Sequence, residues 1–245
     1  MTHDVPCFDR IVPRALRQDA LSRAVAENPA NMPASAQEAV IVTAKRWAPG
    51  RTLRIRFLDG ERALHTRVAT AAEEWARHAH IAFDFGGEAA AEVRISFAGN
   101  GRWSALGTDA LCETYYPPGE PTMNLGALSL STPDAELTRT VLHEFGHLLG
   151  LIHEHQSPAE GIRWDKEAVY REMAKPPNEW DRPTVQFNYF GTYDAEQTQY
   201  SSFDGASIML YSVPAAWTLD RRSFPTNNRL SETDKAFIAG QYPRS

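Results

Sequence analysis

"RTVLHEFGHLLGLIHEHQSP", residues 139–158, sets four histidines and two glutamates between His143 and His155 in a stretch that otherwise reads as an apolar helix. Leu137, Val141, Leu142, Phe145, Leu148 and Leu149 recur at helical spacing, and Pro133 marks where that helix begins. His143 and His147 are four apart. On a helix of ~3.6 residues per turn they stand one above the other on one face, about 40° apart. Both imidazoles can therefore reach one ion at the ~2.0–2.1 Å of a Zn–N bond. Glu144 projects beside that ion, where a carboxylate can take a proton from an activated water.

The third histidine carries the most information. A continuous helix would place His153 ~15 Å further along the axis than His143, far out of bonding range. The chain must turn back, and Gly150 stands where it would turn, because glycine adopts a left-handed helix cap without a Cβ penalty. His-Glu-x-x-His-x-x-Gly-x-x-His is thus a geometric solution to three-histidine coordination. His143, His147 and His153 are the expected ligands of one catalytic Zn2+.

Around this stretch the chain reads as α+β. "RTLRIRFLDG" alternates Leu53, Ile55 and Phe57 with Arg54 and Arg56 and stops at Asp59-Gly60, a half-buried strand with its turn. Leu64, Val68, Ala71, Ala72 and Trp75 predict a helix over about 64–79, and "IAFDF" and "AEVRISF" predict two further strands. "GRWSALGTDALCETYYPPGEP" is rich in turn residues. "TMNLGAL", residues 122–128, reads as an edge strand. Beyond Gly150 only "DKEAVYREMA" and "SETDKAFIAGQY" read as helices, so the second half is expected to be mostly irregular and held by aromatic packing. Residues 1–50 read as an N-terminal extension, with a short helical pattern at Leu16, Ala20, Leu21, Ala24 and Val25 that breaks at Asn28-Pro29.

Composition sets outer bounds. The 245 residues are 42% hydrophobic and 23% charged, an ordinary globular mixture. A formal charge of −6, with no block of Lys or Arg, gives no reason to expect nucleic acid or an anionic membrane as partner, and a monomer is expected. No apolar run approaches the ~18 residues of a membrane span. "MTHDVPCFDR" lacks the pattern of a classical secretory signal, which leaves cytoplasmic and non-classically secreted locations open. Cys7 has three readings: a free buried thiol, a single bridge to Cys112, or a thiolate that occupies the open zinc position until the extension is removed. The first two are the plainer ones.

The zinc motif and a second one downstream resemble the metzincin clan of zinc endopeptidases, and within it the astacin family. In that family a Glu follows the third His, as in His153-Glu154, and the methionine turn reads Ser-Ile-Met-His-Tyr; here it is Ser207-Ile208-Met209-Leu210-Tyr211. "GRWSALG" (101–107), "HEHQSP" (153–158) and "LSETDKAFIAGQYP" (230–243) are also similar to family stretches. Arg102 and Leu210 stand where the family has Cys and His, and its paired cysteines are missing. The resemblance implies a zincin fold, with a mixed twisted sheet and active-site helix in one lobe (51–150) and an irregular lobe ending in a helix (151–245). It further implies a zinc-dependent endopeptidase with Glu144 as general base. Tyr211 becomes a switchable ligand and oxyanion donor, Met209 a floor beneath the imidazoles, and Glu154 the acceptor of a matured N-terminus. Met123, Asn124 and Leu125 would bind an extended peptide or protein substrate by strand addition; His155 has no ligand role. The alternative is a catalytically inactive zinc-binding module that grips peptides. The intact Glu144 argues against it, because such a module needs no base there.

Overall fold

The structure, a computed structural model, describes residues 7–8, 10–33, 45–87, 90–157, 161–176, 178–191 and 202–244. Residues 34–44 and parts of the second half therefore lie outside the described residues. The alternating segment at 52–57 forms β1 (Thr52–Phe57), with Leu53 and Ile55 fully buried. It is joined by β2 (Ala82–Asp84), β3 (Val93–Ser96), β4 (Arg102–Ser104) and β5 (Met123–Leu125) in one sheet of order β2-β1-β3-β5-β4. Every pairing is parallel except the last, where β4 runs antiparallel to β5 with Trp103 opposite Asn124.

This order corrects one expectation. Met123, Asn124 and Leu125 do not form an edge; β5 is paired on both sides, to β3 and to β4, and all three residues are buried. The edge is β4, whose three residues sit between glycines and read in sequence as a turn. Gly126 allows the tight join, because a Cβ there would lie 2.5 Å from the Gly101 carbonyl. Arg102, standing where the family has Cys, is buried and donates from Nη2 to Glu136 Oε1 at 2.7 Å, tying the edge to the long helix behind it.

The N-terminal helix α1 (Arg17–Glu27) is followed by two helices that cover the sheet, α2 (Arg62–His78) and α3 (Asp134–Leu148). They bury Leu64, Val68, Ala72 and Trp75 against Leu137, Val141 and Phe145, and the Trp75 indole N–H donates to Leu142 O at 2.9 Å. The end of α3 is fixed from both ends of the chain. Trp47, fully buried, donates from Nε1 to Leu148 O at 2.8 Å, and Tyr242 donates from its hydroxyl to Leu149 O at 2.8 Å. Residues 45–50 are thus packed on the core, on the core side of the boundary expected at residue 50. The second half has the short helices α4 (Lys166–Met173), α5 (Arg182–Val185) and α6 (Glu232–Gln241). Between them Trp164, Tyr170, Trp180, Tyr189, Phe190, Tyr211 and Trp217 form an aromatic cluster, as the sequence implied. No described helix is long and apolar enough to cross a membrane.

Candidate metal centre

Helix α3 carries His143 and His147 on its buried face and stops after Leu148. Gly150, at φ 92°, then reverses the chain: its N–H donates to His147 O at 2.8 Å and the Leu151 N–H to Gly146 O at 3.0 Å. This is the left-handed cap the spacing called for. The reversal returns His153, fully buried, to the same point as the two helical histidines.

Each ring is oriented from its far side. Nδ1–H of His143 donates to Ile208 O at 2.8 Å, and that of His147 to Leu151 O at 2.8 Å. Nδ1 of His153 lies 3.2 Å from Gln156 Oε1, which must accept because Gln156 Nε2 is already donating to Phe187 O. Placing the protons on Nδ1 leaves all three Nε2 lone pairs facing inward. His147 Nε2 and His153 Nε2 then lie 3.1 Å apart with no proton between them, and His143 Nε2 is buried without a hydrogen-bond partner. Three converging lone pairs repel one another unless a cation sits among them. Burial, reinforced by His147 and His153, pushes the His143 imidazole well below its ordinary pKa, so it stays the neutral ring that a metal requires. Nitrogen donors in this number and disposition fit Zn2+.

Met209 is buried against Gly146, which lies between the two helical histidines in sequence. A Cβ on Gly146 would stand 2.4 Å from its sulfur, so the helix is thinned there to admit the turn. That turn is itself gripped by α6: Asp234 accepts from Ser207 Oγ, the Ile208 N–H and the Ser231 N–H at 2.8, 2.8 and 2.9 Å. Glu154, next to the third ligand, accepts from the Asp204 N–H at 2.8 Å. Burial, with Asp234 and Asp204 nearby, raises its carboxyl to about 7.

Cys7 is the fourth member of the cluster. Its Sγ and one ring nitrogen each of His143, His147 and His153 all lie within 4.8 Å of one another. The bridge to Cys112 is ruled out, since both thiols are free and Cys112 is buried near Asp19 instead. Cys7 Sγ donates to Glu144 Oε2 at 3.5 Å, and the Tyr211 hydroxyl donates to the Cys7 carbonyl. The segment is laid on the edge strand, with Cys7 bridged in parallel to Arg102 and the Phe8 N–H donating to Arg102 O at 3.1 Å. His155 is buried and not solvent-facing: its ring lies 4.4 Å from that of Tyr211, and its Nε2 donates to Asn188 O. The structure thus brings together His143, Glu144, His147, His153, Met209 and Tyr211, while Asn124 and its neighbours serve the sheet. Sequence reasoning missed the edge strand β4 and left Cys7 open; only a thiol on an extension hinted at the latter.

Three histidines on a helix and its reversal, a glutamate between them and a methionine turn below define a zinc peptidase of the metzincin type. No family model and no curated protein matches the sequence. Solved structures do. One described as the structure of myroilysin is 43% identical, covers 84% of this chain and 98% of its own, and superposes with a TM-score of 0.80. A second, the crystal structure of myroilysin, is 38% identical over 98% of this chain and 100% of its own, at 0.62. High choriolytic enzyme 1, a hatching enzyme zinc-protease from Oryzias latipes (Medaka fish), shares the fold at 16% identity, covering 89% of this chain and 96% of its own, with a TM-score of 0.51. The chain belongs to the astacin-like metzincins, zinc-dependent endopeptidases that use a catalytic Zn2+.

Proposed function

We propose that Glu144 is the general base of this endopeptidase and that Cys7 keeps the full chain latent. One observation carries both readings: Cys7 Sγ lies among the three ligand nitrogens and donates to Glu144 Oε2. His143, His147 and His153 would hold the zinc, which when bound supplies Lewis acidity and brings a water's pKa toward neutrality. Glu144, buried at the ligands, accepts the proton of the attacking water and passes it to the leaving amine. The Tyr211 hydroxyl, now on the Cys7 carbonyl, donates to the oxyanion of the substrate. A peptide substrate replaces residues 7–8 along β4, so Arg102, Trp103 and Ser104 take the backbone-pairing role expected of residues 123–125. While the thiol is in place, that water and that substrate have no room. Residues 1–44 act as a pro-segment and the remainder as the catalytic unit.

The test uses zinc-loaded full-length protein, a mixed peptide library and mass-spectrometric mapping of cuts. Wild type is expected to cleave slowly at first, Cys7→Ala rapidly from the start, and Glu144→Gln with Cys7→Ala to bind one zinc yet lose on the order of 10²–10⁴ in rate. Equal initial rates for wild type and Cys7→Ala would remove the latency. Full activity in the Glu144→Gln protein would remove the base.

A further inference from the structure

Arg10 rests on an aromatic wall beside β4. Its guanidinium carbon lies 4.2 Å from the centre of the Trp103 ring, 5.3 Å from Tyr115 and 5.4 Å from Tyr116. Among the described residues no carboxylate pairs with it. The rings are held by one another and by the core: Trp103 and Tyr116 stack at 6.3 Å, Tyr115 meets Tyr116 edge-on at 4.8 Å, and Trp103 and Tyr116 are buried. The wall therefore does not need Arg10 to exist. Tyr116 also donates from its hydroxyl to the Arg10 carbonyl at 3.2 Å, so one of its rings reads backbone as well as side chain. Trp103 is the middle residue of β4, the strand on which the Cys7–Phe8 segment is laid. The wall consequently stands at a fixed distance along any peptide bound to that edge.

We infer that Trp103, Tyr115 and Tyr116 form a substrate subsite for a basic side chain, arginine before lysine, and that Arg10 fills it in cis in the full chain. This rests on the reading above that β4 receives the substrate. A cation over preassembled, partly desolvated ring faces gains attraction from their quadrupoles, worth roughly 3- to 30-fold in affinity. The flat guanidinium stacks on such faces where an ammonium only points at them.

The experiment uses the zinc-loaded full chain carrying Cys7→Ala and Arg10→Ala, which opens both positions without cutting the protein. Peptides that differ at one residue (Arg, Lys, citrulline, norleucine or Glu), scanned through the positions flanking the cut, are compared by kcat/KM. At one position Arg is expected to exceed citrulline, its uncharged shape-mimic, by about 3- to 30-fold, with Lys between them. Adding Tyr115→Leu, and separately Trp103→Leu, should bring that ratio to about one. Tyr115 is half-buried, so its variant guards against simple misfolding of the Trp103 one. Binding of the same peptides to the protein with Glu144→Gln added should give the same ratio without catalysis. Selective binding by the Glu144→Gln protein, with no cleavage by the Cys7→Ala, Arg10→Ala protein that keeps Glu144, would sink the catalytic reading and leave the subsite standing. Arg and citrulline performing equally at every position, in cleavage and in binding, would overturn the subsite.

Discussion

Gly146 shows how a single missing methyl shapes the metal centre. With its would-be Cβ only 2.4 Å from Met209 Sδ, Gly146→Ala must push the methionine floor down or the helix up. It is expected to cost about 1–3 kcal/mol, the usual size of an overpacked core, and to weaken zinc binding; thermal unfolding and chelator competition measure both. Tyr211→Phe, made with Cys7→Ala so that latency does not mask it, should keep zinc because three histidines remain. Its kcat should fall about 10²–10³-fold with KM little changed, as for a lost oxyanion donor. Loss of zinc or of stability with kcat per folded molecule intact would make Tyr211 structural. Glu154 gives a pH signature. Its carboxyl titrates near 7 in the fold against an ordinary 4.5, so the folded state holds that proton more tightly. The resulting stability is complete below about 4.5 and is lost as pH rises through 7. Glu154→Gln should therefore raise the melting temperature at pH 8 relative to wild type and not at pH 5. At this scale the three ligands and Glu144 were legible because a helix makes four-residue spacing into geometry. Cys7 was not, because it meets Glu144 from 137 positions away and nothing near it in sequence marks the meeting.

Among the elements, α6 does more than end the chain. Ser231 and Asp234 close a capping box at its start, and the same Asp234 holds Ser207 and Ile208, whose carbonyl accepts from the His143 Nδ1–H. A helix cap is thus one backbone hydrogen bond removed from a zinc ligand. Asp234→Ala leaves the Ile208 and Ser231 N–H groups without their acceptor, at about 1–3 kcal/mol. It should also lower zinc affinity by roughly 10- to 100-fold, the usual effect of disturbing a group that orients a ligand. Thermal melts and zinc titration check the two; unchanged zinc affinity in a destabilised protein would confine Asp234 to capping. The strands were less legible than the helices. β1 announced itself by alternation, whereas β4 and β5 are three residues each and buried throughout, so neither periodicity nor length distinguishes edge from interior. Their order depends on Gly126 allowing close approach and on Asn124 donating from Nδ2 to Ala98 O at 3.0 Å, both tertiary facts.

For the molecule as a whole, the metal links activity and stability. Treatment with 1,10-phenanthroline should abolish cleavage, and Zn2+ should restore it. With free zinc at about 100 times Kd, bound metal should stabilise the fold by ~2.7 kcal/mol, visible as a lower melting temperature after chelation. Cleavage that persists in metal-free protein would contradict the zinc mechanism. The placement of Cys7 has one more consequence, and it concerns dilution. Because thiol and histidines belong to one covalent chain, their encounter is intramolecular, and the protein's own concentration does not enter. A cut anywhere between residues 33 and 45 converts that encounter into an ordinary two-body equilibrium. Nicked protein should then stay quiet when concentrated and gain activity as it is diluted, while the uncut chain shows the same specific activity at every dilution.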